Sequence, residues 1–311
     1  MLRYVGKRLV LLLPVLLGVT FIIFAIMEMT PGDPAVRILG AEASAEQIEA
    51  LREEMGLNRG FLERFVSYVY NVVVRFDFGV SWRTQKPVFE EILPRFPVTI
   101  TLALWCMVVS TLIGVPMGVF SAIKQNTLAD NSMRVLSTVM VALPPFWLGM
   151  LLILLFSLKL GWLPASGAKD WTGYILPVIA VAGPQGCRIL RITRSTMLEC
   201  IREDYVRSAK AKGVPKRKVT YSHALKNALL PVITTVGTSF GASLAGAVMA
   251  ECVFSMPGMG SLLLLSIRSK DTPMLLASVL LQATLMAIIM LLVDLVYALV
   301  DPRIKAKYKK S

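Results

Sequence analysis

Long apolar stretches recur along the chain at about 9–27, 98–123, 133–158, 174–190, 229–252 and 274–300, with polar segments between them. A hydrocarbon core of about 30 Å takes roughly 20 helical residues to cross. The six stretches therefore predict six transmembrane helices in an all-α polytopic membrane protein. The fourth differs: it is short, holds Pro177, Gly183, Pro184 and Gly186, and runs into Arg188 and Arg191. Such breaks are tolerated where neighbouring helices satisfy the freed backbone groups. A broken or tilted helix inside a bundle is expected there, with the two arginines snorkelling toward headgroups. Arg3, Lys7 and Arg8 precede the first stretch, as in a signal peptide. Its apolar core of about 19 residues exceeds the usual 7–15 or so, and no small-x-small cleavage pattern follows, so it reads as a retained span.

The segment 30–97 is patterned too. Ser44 followed by Gln47 reads as a capping box, after which Ile48, Leu51 and Met55 recur at helical spacing until Gly56 stops the run. Phe61, Phe65, Val69, Val72, Val73 and Phe76 mark a second amphipathic helix. Two readings fit this region: a helical cap on the membrane surface, or a small outer-face domain that receives a partner.

The segment 199–227 is the most polar and basic between two spans. No Pro or Gly occurs from Glu199 to Lys212, which predicts a helix with Glu199, Glu203 and Asp204 toward its start and Lys210 and Lys212 toward its end, complementing the helix dipole. Gly213 is placed to cap it, and Pro215 fits the first turn of a second helix running to about 227. Two helices then meet at a sharp bend. Ser208, Ala209 and Ala211 are small enough for another surface to approach closely, and Tyr205 offers a ring with a polar tip. A docking element and a basic loop holding anionic headgroups, at about 1 kcal/mol per cation, both account for the segment.

Composition supports the membrane reading: 55% of the 311 residues are hydrophobic and the mean hydropathy is +0.65. The net charge of +13 then reports orientation rather than nucleic-acid binding. Basic residues gather at Arg3, Lys7 and Arg8, at Lys124 and Arg134, across 188–226 and in the tail from Arg303 to Lys310. The alternate short loops carry only Lys159, Lys169, Arg268 and Lys270, so both termini and the 199–227 segment are expected in the cytoplasm. Cys106, Cys187, Cys200 and Cys252 lack metal-ligand spacing and read as free thiols. No phosphate-binding Gly-x-x-x-x-Gly-Lys-Ser/Thr loop occurs, and no metal or catalytic constellation accompanies His223. Glu251 and Asp294 are ionisable groups within apolar stretches, near their ends. Glu251 is expected to brace a tight turn formed by Pro257, Gly258 and Gly260.

With these residues in view, the chain resembles the inner-membrane permeases of ATP-binding-cassette importers. Their cytoplasmic Glu-Ala-Ala-x-x-x-Gly motif aligns with Arg207, Ser208, Ala209 and Gly213, the last two matching. The departures at Arg207 and Ser208 resemble the dipeptide, oligopeptide and nickel branch, to which "DYVRSAKAKGVPKRKVTYSHALKNALLPVIT" is similar almost throughout. "RYVGKRLVLLLPVLLGVTFIIF", "PGDP", "FGVSWRTQKPVFEEILPRFPVTITLAL", "ECVFSMPGMGSLLLLSIRSKDTPML" and "VDLVYALVDPRIK" extend the resemblance, in order, toward the B-type subunit. The resemblance implies a coupling loop at Tyr205, Arg207, Ser208, Ala209, Ala211, Lys212, Gly213 and Pro215. It further implies a heterodimer with a second permease, two cytoplasmic ATPases holding ATP and Mg, an extracytoplasmic solute-binding protein, and a prokaryotic inner membrane. Residues 1–29 would be the tail and first span, 30–97 the extracytoplasmic region and 98–311 the permease core. Peptides are the implied cargo, with a nickel chelate, glutathione or oligosaccharide as alternatives. An ATPase-independent channel or secondary carrier is the rival class.

Overall fold

The computed structural model describes residues 2–40 and 42–300. In chain order the helices begin with α1 (Leu2–Met29), α2 (Pro34–Leu39), α3 (Ala45–Glu54), α4 (Phe61–Arg75) and α5 (Val88–Ile92). They continue with α6 (Phe96–Ile123), α7 (Leu128–Ala142), α8 (Pro145–Leu152, prolonged by a π-helical stretch Ile153–Lys159) and α9 (Thr172–Arg202). The remainder are α10 (Asp204–Ala211), α11 (Lys216–Lys218, followed by π-helical Val219–Ala224), α12 (Leu225–Val253), α13 (Met259–Ser269) and α14 (Thr272–Val300). The tail 301–311 and the side chains of Arg3, Lys7, Arg8 and Asp294 lie outside the described residues.

Among the described residues, four helical segments are long and apolar enough to cross a membrane: Val10–Met29, Val88–Ile123, Thr172–Arg202 and Thr272–Val293. A fifth arises if Leu128–Ala142 and Pro145–Lys159 make one crossing, although they meet at 100°. The single stretch expected to cross at 133–158 is thus two helices. Leu143-Pro144-Pro145 explains the break, because a residue before proline is pushed out of the helical region, and Leu143 has ψ 130. The fourth stretch, expected to be short and either broken or tilted, is long and unbroken. Pro177 and Pro184 lie inside a continuous helix of 31 residues that runs past Arg188 and Arg191. Its place in the bundle is as expected: 61% of its apolar window is buried, against 11–33% in the other three.

The chain forms two compact units. One comprises Leu2–Val98 and Pro257–Ala287. In it the Ser44 hydroxyl accepts from the Gln47 N–H at 3.2 Å and the Gln47 side chain accepts from the Ser44 N–H at 3.0 Å, completing the capping box that starts α3. Phe21 and Phe24 of α1 meet Phe61 and Phe65 of α4 edge to face, with centroids 5.3–5.9 Å apart. Val88 and Ile92 pack with Met259, Leu262, Met274 and Ala277. The buried Asp271 carboxylate accepts from the Ser81 hydroxyl and from the Trp82 and Met274 N–H groups, the latter two at 3.1 and 3.3 Å. Burial pushes the neighbouring Lys270 ammonium down from its ordinary pKa; it donates to the carbonyls of Thr30 and Gly32.

The other unit comprises Thr99–Met256 and, among the described residues, 288–300. Here α6 and α9 approach along a seam of small residues. A Cβ on Gly114 would stand 2.6 Å from the Gly186 carbonyl oxygen, and one on Gly118 would stand 2.5 Å from the Thr193 Cβ. Small residues four apart let membrane helices approach this closely. Between α9 and α12, Gln185 donates to the Ser243 hydroxyl at 2.9 Å, satisfying two buried side chains together.

Candidate functional site

The 199–227 segment folds as an elbow, with a register that differs from the expected one. The helix anticipated from Glu199 to Lys212 is divided at Glu203, whose extended backbone (φ −67, ψ 149) ends α9 and caps α10. The Glu203 carbonyl accepts from the N–H groups of Val206 and Arg207 at 3.0 and 3.2 Å, so the new helix starts at once. At its far end Lys212, Gly213 and Val214 donate to the carbonyls of Ser208, Lys210 and Ala209. Gly213 has φ +74 with nothing within 4 Å of a notional Cβ. Glycine is therefore favoured by the backbone conformation, not by crowding. Pro215 stands one position outside the helix it was expected to begin, as its N-cap. That second helix does not stop near 227 either: α11 passes through the π-helical Val219–Ala224 directly into α12.

The division at Glu203 decides which side chains face inward. Val206 and Ala209 are buried and join Val119, Ala122, Met197, Val219, Ala224 and Ala228 in one apolar cluster. The i→i+5 bonding of a π-helix turns residues five apart toward a common side, which suits Val219 and Ala224. The ends of α6, α9 and α12 thus supply a socket into which the elbow is fixed. Tyr205, Arg207, Ser208, Lys210, Ala211, Lys212 and Pro215 are exposed. Ala209, one of the small residues expected to let another surface approach, has its own side chain in the socket.

Beside this socket lies a charged cluster that sequence reading missed. The Asp130 carboxylate, with no exposure, receives Nε and Nη2 of Arg194, both at 2.7 Å. It also receives the Ser121 hydroxyl at 2.5 Å and the Asn126 N–H at 2.9 Å. One side chain on α7 thereby ties the end of α6, the α6–α7 turn and the shaft of α9 that leads into the elbow. Thr127, which N-caps α7 by accepting from the Asp130 N–H, gives the local Thr-x-x-Asp signal that marks this turn. Nothing local indicates Arg194 as its partner.

Glu251 is fully buried near the end of α12. Its carboxylate accepts from the Thr99 hydroxyl at 2.5 Å, and its main-chain carbonyl accepts from the Met256 N–H at 2.8 Å. The left-handed residue of the following turn is Ser255 (φ 48), not a glycine. Gly258 is extended and N-caps α13, and Gly260 is buried in the first turn of that helix. Pro257, Gly258 and Gly260 fall in the other compact unit.

Comparisons with known proteins show which family the chain matches. Residues 114–306 match the family described as binding-protein-dependent transport system inner membrane component, and residues 1–103 match the N-terminal family of such membrane components. The glutathione transport system permease protein GsiC of Escherichia coli strain K12 is 39% identical over 307 residues, covering 99% of this chain and 100% of that protein. The dipeptide transport system permease protein DppB of Alkalihalophilus pseudofirmus is 40% identical over 333 residues, covering 98% and 100%. Among solved structures, the MetNI methionine ABC transporter in an inward-facing conformation has a similar fold. Its TM-score is 0.56 at 15% identity, over 65% of this chain and 93% of that one.

Proposed function

Because the chain belongs to the inner-membrane components of binding-protein-dependent transport systems and is a permease subunit of an ABC importer, we propose that its elbow is where a separate ATPase drives it. The observation that carries this reading is the division of the elbow into two sides. Val206 and Ala209 anchor it in an apolar cluster with the ends of α6, α9 and α12, while Tyr205, Arg207, Ser208, Ala211 and Lys212 are left outward. A rigid, anchored projection transmits displacement in a way that a flexible linker does not. Gly213 and Pro215 set the bend, and movement of α10 is passed to α9 and α12, between which the buried Gln185–Ser243 pair lies.

In this reading the chain crosses the inner membrane six times, α12 included, with both termini and the elbow in the cytoplasm. It pairs with a second, related permease. Two cytoplasmic ATPases hold ATP and its Mg, and an extracytoplasmic binding protein delivers cargo to the 30–97 side. The cargo is a short peptide. One relative is named for dipeptide transport and another for glutathione, itself a tripeptide. Uptake of a radiolabelled dipeptide into vesicles holding the assembled transporter tests this. Uptake should require ATP and fall when unlabelled glutathione or a second dipeptide competes. Uptake without ATP would indicate a channel or secondary carrier; competition by a nickel chelate alone would remove the peptide assignment.

A further inference from the structure

We infer that α4 is embedded in the outer leaflet, its outward face covered by lipid acyl chains rather than by water or a protein partner. The inference rests on α1 crossing the membrane with its N-terminus inside. Three observations within one compact unit support it. First, α4 touches α1 through Phe61 and Phe65 against Phe21 and Phe24. Those α1 residues lie within the apolar segment Val10–Met29, five and eight positions before its end. At about 1.5 Å per helical residue, the crossing point is about 8–12 Å below the outer end of the span. An amphipathic helix bound in the interface reaches about that depth.

Second, the face of α4 turned away from α1 is open and carries an apolar stripe, bordered by Glu63 and Ser67. Leu62, Val66, Tyr70 and Val73 recur at intervals of four and three, and are 52–66% exposed. Ile22 and Ile26 on α1 itself, which a spanning helix presents to lipid, are 57% and 56% exposed. The two apolar faces are of one kind and belong to helices in direct contact. Third, no charge occurs between Phe65 and Val74. Of the two charges in the first turn, Arg64 lies over the Phe24 ring at 5.7 Å and pairs with Glu28 at 2.5 Å, while Glu63 is exposed at the start of the helix. A water-facing helix with such a stripe would be an association hazard; in lipid it is stable.

Nitroxide labels on Val66→Cys and Val73→Cys test this in the assembled transporter, in vesicles of phosphatidylethanolamine and phosphatidylglycerol. Collisions with dissolved oxygen should exceed those with a water-soluble nickel chelate, giving a depth about 8–12 Å below the span's outer end. A label on Glu46→Cys, on exposed α3, should favour the chelate. Chelate access at Val66 and Val73 would overturn the inference, and so would shielding from both probes, which would indicate a covering protein. ATP-dependent uptake by the same labelled complexes is measured in parallel. Lost uptake with lipid contact intact would count against the transport reading alone.

Discussion

Asp130 carries a full negative charge out of water and is held there by two guanidinium nitrogens, a hydroxyl and a backbone N–H. Removing one member of a buried pair costs about 3–5 kcal/mol, because the other is left uncompensated. Asp130→Asn is therefore expected to lower thermal stability by about that much in detergent, and Arg194→Met similarly. The double variant should cost less than the sum of the singles, as contacting residues couple; additivity would contradict the pairing. At the elbow, Gly213→Ala should cost only about 1–2 kcal/mol for its left-handed backbone, since a Cβ meets nothing. Ala209→Trp would overfill the socket and report folding. Ala211→Trp, on the exposed side, should leave the melting temperature unchanged while abolishing ATP-driven uptake. The bend itself was readable from Gly213 and Pro215, whose backbone demands are local. The inward turn of Ala209 was not, because it depends on a break at Glu203 that no proline or glycine announces.

The elements were readable to the extent that hydrophobicity defines them. The capping box at Ser44, the stop at Gly56 and the amphipathic run from Phe61 all follow from local spacing. Prolines misled in both directions. Pro177 and Pro184 sit within a helix that burial among its neighbours keeps continuous, whereas Pro144 and Pro145 together turn the chain through 100°. Such outcomes depend on what surrounds each proline, which sequence alone does not display. The small residues Ser110, Gly114 and Gly118 were in plain view at intervals of four, but their partner helix was not. That seam makes a sharp prediction. Gly118→Val should force α6 away from Leu190 and Thr193, destabilising the protein by about 1–3 kcal/mol or more and lowering the yield of folded protein. Gly18→Ala, where a Cβ meets nothing within 4 Å, should be neutral. Equal behaviour of the two would contradict the close α6–α9 approach.

For the whole molecule, apolar excess and the distribution of lysine and arginine indicate a membrane protein and its expected orientation. They do not identify partners, because any interface is completed by another chain. Ordered motifs supplied that link, and relatives matching over nearly the full length establish the family. In the function proposed above, the socketed elbow would be the physical route from ATPase to membrane helices, since Val206 and Ala209 pack against α6, α9 and α12. One measurement bears on it most directly: a photocrosslinking side chain placed at Ala211 in intact membranes. A covalent adduct with a nucleotide-hydrolysing subunit, altered by ATP, is the predicted product. Adducts with phospholipid alone would contradict it.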